Sequence, residues 1–305
     1  MLRRHPSDTA MPAPKSLPAL FVGRSTYDLC FVLPRYPEED TKSEVEGYYQ
    51  AAGGPALNAA IVFSALGGQA TLFTASGTGA MATAMRRELG DYNIALHDAT
   101  DDQADVLPIS SILINRVTGT RTIYTHAPER NVRSVSEKEL DALPRPGIVM
   151  SDGHVPELAE PVLKWARARG IPTLIDGGSW KDWMPRLLKL TDMAVISERF
   201  APPRMKTLED RFGYLKQCGV TRLAVTRGPG LIAWRDGDKR GEIHPPNVAA
   251  IDTLGAGDAF HGSFCRYFLE GQDFETALQH AASLASRSCT EWGRAWIAKM
   301  TTPSR

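Results

Sequence analysis

The stretch Asp252-Thr253-Leu254-Gly255-Ala256-Gly257-Asp258 sets small residues directly ahead of a carboxylate that opens a helix. Phe260, Phe264 and Phe268 recur every fourth residue after it, forming one apolar stripe, and Gly271 stands where that helix should stop. The first backbone N–H groups of a helix lack intrahelical partners and carry positive dipole character, so they collect anions. Gly255 and Gly257 allow a ligand close to the chain, and Asp258 puts a carboxylate beside that anion pocket. A base next to a hydroxyl, with donors where charge develops, is what phosphoryl transfer requires.

A second group is Gly53-Gly54-Pro55-Ala56-Leu57-Asn58, where two glycines precede a helix. Asn58 can both donate and accept, which suits a polyhydroxyl compound; taken alone, a Gly-Gly-Pro run before a helix is more often just a turn. Asp28 follows the first strand candidate, where open α/β sheets gather ligands, and by itself reads as a turn-capping residue. Thr226-Arg227-Gly228-Pro229-Gly230 is a glycine-rich turn at a strand end with room for a nucleotide. Neither a Walker A loop nor a G-x-G-x-x-G fingerprint occurs. The seven histidines form no ligand-spaced set, and His261 is expected to pack or face away rather than to act as a base.

These groups need a scaffold. Short apolar runs at 20–22, 70–75, 147–150, 173–175, 193–196 and 223–226 read as buried strands. Residues 55–66, 157–169 and 209–217 read as helices between them, and the alternation predicts an α/β fold with a mostly parallel sheet covered on both faces. Two stretches break the rhythm: 105–126 reads as a hairpin turning at Thr118-Gly119, and 29–50 as irregular strands. Together they predict a small β flap over the ligand cleft or, equally on periodicity alone, an edge decoration. Residues 1–17, rich in Pro, Ser and Ala, read as a disordered leader ahead of one domain over 18–300.

In a chain of 305 residues, 35 Lys plus Arg balance 35 Asp plus Glu, which excludes the basic excess of an electrostatic nucleic-acid binder. No apolar run is long enough for a membrane span. Cys30, Cys218, Cys265 and Cys289 form no C-x-x-C pair, and Cys265 reads as a core residue. The expectation is a cytoplasmic enzyme.

Gly53-Gly54 with Asn58, Thr226-x-Gly228 and Asp252 through Asp258 occur in the order and spacing of the PfkB (ribokinase-like) carbohydrate kinases, which the chain resembles from about 19 to 297. The resemblance implies a three-layer α/β/α domain with a β-sheet lid that transfers the γ-phosphate of ATP, carried with Mg²⁺, to a sugar hydroxyl. It casts Asp258 as the base and the backbone of Gly255, Ala256 and Gly257 as the anion hole. Asp28, Gly53, Gly54 and Asn58 would meet the acceptor, and Thr226 and Gly228 the nucleotide. Relatives also hold a monovalent cation, K⁺, near the loop of Asp252, and many pair lid strands into a homodimer. Where relatives carry Asn-x-x-Glu, this chain has Ser197-Glu198-Arg199-Phe200, and Glu198 is the substitute for handling the metal.

Two branches share further phrasing. Tyr36-Pro37-x-Glu39-Asp40 and Gly119-x-Arg121-Thr122-Ile123 are similar to ketohexokinase-like enzymes. Gly53-Gly54-Pro55, Leu174-Ile175-Asp176-Gly177 and Gly293-Arg294-Ala295 resemble sulfofructose-kinase-like ones. Lys42 matches a sulfonate-handling lysine, whereas His154 stands where that branch has an anion-binding arginine. The acceptor implied is a ketohexose-like sugar phosphorylated at a primary hydroxyl. A nucleoside kinase, and a non-catalytic sugar or nucleotide sensor on the same scaffold, remain as alternatives.

Overall fold

The computed structural model describes residues 17–101, 107–129 and 132–301. The leader expected over 1–17 therefore lies outside the described residues except for Leu17, as do residues 102–106 at the start of the predicted hairpin.

In chain order the elements are β1 (Ala19–Val22), β2 (Thr26–Leu33), β3 (Gly47–Gly53), α1 (Pro55–Ala65), β4 (Ala70–Thr74), α2 (Ala80–Asp91) and β5 (Ala95–Asp98). There follow β6 (Ile109–Asn115), β7 (Arg121–His126), α3 (Glu137–Asp141), β8 (Ile148–Ser151), α4 (Pro156–Ala168), β9 (Thr173–Gly177), α5 (Met184–Leu188) and β10 (Met193–Ser197). The chain continues through α6 (Leu208–Gln217), β11 (Arg222–Thr226), β12 (Ile232–Asp236), β13 (Lys239–Ile243), α7 (Ala256–Leu269), α8 (Phe274–Ser288) and α9 (Ala295–Thr301). The predicted strands and helices fall on β1, β4, β8–β11, α1, α4 and α6. The sequence reading left α2, α8 and the β12–β13 hairpin unassigned.

Nine strands form the main sheet in the order β13-β12-β11-β10-β9-β8-β1-β4-β5. Strands β5 through β11 in that order run parallel, and β12 and β13 add antiparallel pairs at one edge. Alternate residues of each central strand enter opposite cores, as a period of two demands. Phe21, Met150, Leu174 and Val195 pack toward α1, α2, α7 and α8. Leu20, Val22, Val149, Ile175 and Ile196 pack toward α3–α6. This is the three-layer α/β/α arrangement the sequence predicts.

Four strands form a separate small sheet in the order β3-β2-β6-β7. Here β2 pairs antiparallel with β3 and parallel with β6, and β6 pairs antiparallel with β7. Residues 34–46 form no strand, so the irregular reading of 29–50 resolves into two strands and a long connection. Asp28 lies inside β2, opposite Ala51, which corrects its reading as a turn cap: a lone acidic residue in an apolar strand has the local look of a strand boundary.

Helices α1 and α7 cross closely because Gly262 has no side chain. A Cβ there would stand 2.3 Å from the carbonyl oxygen of Ala59. Helix α1 is apolar nearly all round, with Ala56, Leu57 and Ala59 through Phe63 buried, as a helix between the sheet and another helix must be.

Candidate active site

Helix α7 begins at Gly255, whose left-handed backbone (φ 76°) a side chain would strain. Ala256, Gly257 and Asp258 form the first turn, where N–H groups lack intrahelical partners; that of Ala256 makes only a long 3.4 Å contact with the Thr253 carbonyl. Gly257 is exposed with nothing within 4 Å of a hypothetical Cβ, which leaves space in front of those donors. Burial pushes the Asp258 carboxyl above the usual carboxylate range, against the pull of a hydrogen bond from Asn58 Nδ2 to Asp258 Oδ2 at 2.6 Å. Asn58 reaches it from the first turn of α1, which Gly54 (φ 100°) and Pro55 start.

The start of α1 has no side-chain cap of its own. Asp152, just past β8, supplies one from across the sheet: its Oδ2 accepts the N–H groups of Ala56 at 3.2 Å and Arg24 at 2.8 Å, and its Oδ1 that of His154. A Cβ on Gly23 would stand 2.1 Å from this carboxylate, so the approach requires glycine. Asp176, at the end of β9, is buried beside His261, and burial pushes its carboxyl up to about 6. His261 is packed as expected, with its ring nitrogens against the carbonyls of Gly257 at 2.8 Å and Val195 at 3.1 Å.

A cavity of about 320 Å³ opens from Gly255 and Asn58 along the small sheet, past Asp28, Tyr49 and Gln50, to Glu88, Arg294 and Trp296. That is the lower end of the range for small-molecule sites, about 300–1,000 Å³. Asp28 lies half-buried on its wall, fixed by Thr26 Oγ1 at 2.8 Å, and burial raises its carboxyl. A Cβ on Gly53 would lie 2.0 Å from an Asp28 oxygen, so Gly53 keeps that carboxylate in place. Asp28, Asn58, Gly255 and Asp258 are thus brought together. Lys42 is not: it is exposed in the 34–46 connection and lines no part of the cavity.

Ser197 pairs with Thr226 in the β10–β11 register, and the Glu198 N–H donates to the Thr226 carbonyl at 2.9 Å. Gly228 follows in a left-handed turn (φ 57°), so these four residues form a second group at the strand ends. The Glu198 carboxylate is exposed there, an oxygen donor of the kind a hydrated Mg²⁺ takes. Asp252 is buried, and both its oxygens are engaged: Oδ1 by the Leu254 N–H at 2.8 Å, Oδ2 by Tyr49 at 3.2 Å and the Gly293 N–H at 3.0 Å. Among the described residues no group of three or more His, Cys, Asp or Glu is placed to hold a metal.

Sequence reasoning gave no site role to four residues. Asp152 carried only the signal of an acidic residue after a buried strand. Arg294 and Glu88, an ion pair on the cavity wall, are 206 residues apart; Gly293-Arg294-Ala295 was legible as a motif, but its pairing with Glu88 has no local signature. Arg121, on β7, donates to Thr253 Oγ1 at 2.5 Å and ties the small sheet to the loop before α7.

Residues 19–295 match the model of the pfkB family carbohydrate kinases. The chain is 24% identical over 288 residues to the ATP-dependent ribose-1-phosphate kinase of Halopiger xanaduensis, across 86% of this chain and 88% of that one. It is 23% identical over 286 residues to the ketohexokinase of Mus musculus, across 88% and 95%. A crystal structure of a candidate ribokinase from Agrobacterium tumefaciens superimposes with a TM-score of 0.81 at 27% identity, covering 91% of this chain and 92% of that one.

Proposed function

The chain belongs to the pfkB family of carbohydrate kinases, phosphotransferases with an alcohol acceptor, and from that premise we propose that it transfers the γ-phosphate of ATP to a primary hydroxyl of a ketohexose-like sugar. The observation that carries this reading is the Asp258 carboxylate, hydrogen-bonded to Asn58 at the start of α7 and adjoining a cavity whose wall holds Asp28. Asp28 and Asn58 bind acceptor hydroxyls and Asp258 takes the proton of the attacking one. The N–H groups of Gly255, Ala256 and Gly257 meet the charge that builds on the transferred phosphoryl group. Thr226 and Gly228 would line the nucleotide, and Ser197 and Glu198 would hold the hydrated Mg²⁺ of ATP, which would neutralise phosphate charge.

A ketose is supported by the similarity to ketohexokinase and by the Gly119-x-Arg121-Thr122-Ile123 phrasing on β7. The outward position of Lys42 speaks against a sulfosugar. Tyr48, Ile123 and Tyr124, exposed on the small sheet, support a homodimer formed through it.

The test is ATP consumption over a panel of ketoses, aldoses and nucleosides, with Asp258→Asn as control. The asparagine can still accept from Asn58 but cannot take a proton, so turnover should fall at least about 10²–10⁴-fold with acceptor binding retained. Near-normal turnover in that variant would remove Asp258 as the base. Turnover of nucleosides alone would move the acceptor class, and ATP binding without turnover of any compound would leave a sensor.

A further inference from the structure

Arg294 reaches Asp258 through an intermediary: it touches Asn58, and Asn58 touches the base. Its Nη2 donates to Asn58 Oδ1 at 2.5 Å and to the Ala52 carbonyl at 2.5 Å, while its Nη1 pairs with Glu88 Oε1. Glu88 Oε2 accepts the N–H of the same residue, Ala52, at 2.7 Å. The guanidinium is therefore clamped between α2 and β3, half-buried, with one arm on α1.

The polarity of this chain is fixed by its first member. An arginine has donors and no acceptor, so the Asn58 oxygen must face it. The Asn58 NH₂ must then face Asp258, and a donor facing Oδ2 at 2.6 Å disfavours a proton on that oxygen. We propose that Arg294 is a positioning residue for phosphoryl transfer, orienting the Asn58 amide so that Asp258 Oδ2 is held unprotonated and Oδ1 is the oxygen that receives the acceptor's proton. The inference rests on Asp258 being the base. In the step itself the acceptor O–H bond breaks toward Oδ1 as its oxygen bonds the γ-phosphorus, and the β–γ P–O bond breaks to release ADP.

Other groups face Asp258: His261 on its own helix, Arg121 from β7, Asp28 from β2, and Asp152 and Asp176 from the ends of β8 and β9. They set the field at the carboxylate but do not dictate which of its oxygens is free. With Arg294→Met, the Asn58 amide can turn and present its oxygen to Asp258, which favours the protonated acid.

The experiment compares Arg294→Met and Arg294→Lys with the unmodified protein, by kcat against pH and by ¹³C-carboxyl NMR titration of Asp258, its signal identified by its loss in Asp258→Asn. In Arg294→Met both the acid limb of kcat and the NMR midpoint should move up by about one pH unit, the size of one charge-assisted hydrogen bond, with KM for Mg–ATP unchanged. Arg294→Lys, which keeps a donor toward Asn58, should return both toward the original values. A midpoint in Arg294→Met that coincides with the unmodified protein overturns the proposal. Should that variant not fold, the Asn58 side-chain amide protons of the unmodified protein decide: they should titrate with the Asp258 midpoint, and pH-independent shifts overturn the proposal. If no acceptor is turned over by the unmodified protein, the kinase reading fails while both NMR readouts still test the orientation.

Discussion

Gly262→Ala tests whether the α1–α7 crossing sets the distance between Asn58 and Asp258. The new Cβ would start 2.3 Å from the Ala59 carbonyl oxygen and 2.9 Å from Val62 Cβ, and Cβ atoms essentially never approach other atoms closer than 3.0 Å. Backbone is the obstacle, so the helices must separate by about 0.7 Å or more, the difference between 2.3 and 3.0 Å. Asn58 is one residue before Ala59 on α1 and Asp258 one turn before Gly262 on α7, so most of that shift is delivered to their 2.6 Å hydrogen bond. Stretched toward 3.3 Å or beyond, it lies outside the range of a strong bond. Overpacking of this kind costs about 1–3 kcal/mol of stability, and a misplacement near 1 Å at a reacting centre costs about 10²-fold in rate. Thermal unfolding should show a lowered Tm, and at a temperature where the variant is fully folded kcat should fall about 30–100-fold with little change in KM for ATP. A folded variant whose kcat stays within about threefold of the original would show that the helix spacing does not govern the base.

Two other outcomes follow from the same geometry. Asp176 is held at about 6 by burial, so the native state binds its proton more tightly than the unfolded chain does; the stability this brings is present at low pH and lost as pH rises through about 6. Asp176→Asn should therefore raise Tm at pH 7.5, by up to about 3 kcal/mol in free energy, and have little effect near pH 4; an equal change at both pH values would refute the linkage. Light scattering at micromolar concentration should give twice the chain mass, and Tyr124→Asp together with Ile123→Asp should halve it; a monomer mass for the unmodified protein would exclude the homodimer.

What the sequence disclosed was what the backbone determines locally. Glycines before an acidic helix start, an apolar stripe of phenylalanines and short buried strands are each written within a few residues, and α7, α1 and the central strands lie where they were expected. The hydrogen bonds that organise the site join residues about 200 positions apart: Asn58 to Asp258, Tyr49 to Asp252 and Arg294 to Glu88. No local pattern encodes such a pairing, because the sheet order and the α1–α7 crossing create it. Helix α2 was overlooked for a different reason. Its buried stripe of Ala82, Met85 and Leu89 has helical spacing but little apolar bulk, so the signal is faint against Arg86, Arg87 and Glu88. Lys42 shows the reverse limit: a position in a motif does not say where a connection carries the residue, and here it is exposed and outside the cavity lining.

The edges of the nine-stranded sheet bear on how the chain behaves in crowded solution. An open strand edge offers unpaired N–H and C=O groups to any other chain, and is a route to aggregation. Here the last strand, β13, carries Lys239, Arg240 and Glu242 along five residues. The opposite edge strand, β5, is four residues long and ends at Asp98, which is bound to Arg86. Both edges would bring charge into a sheet-to-sheet contact, so the large sheet resists growing by strand addition.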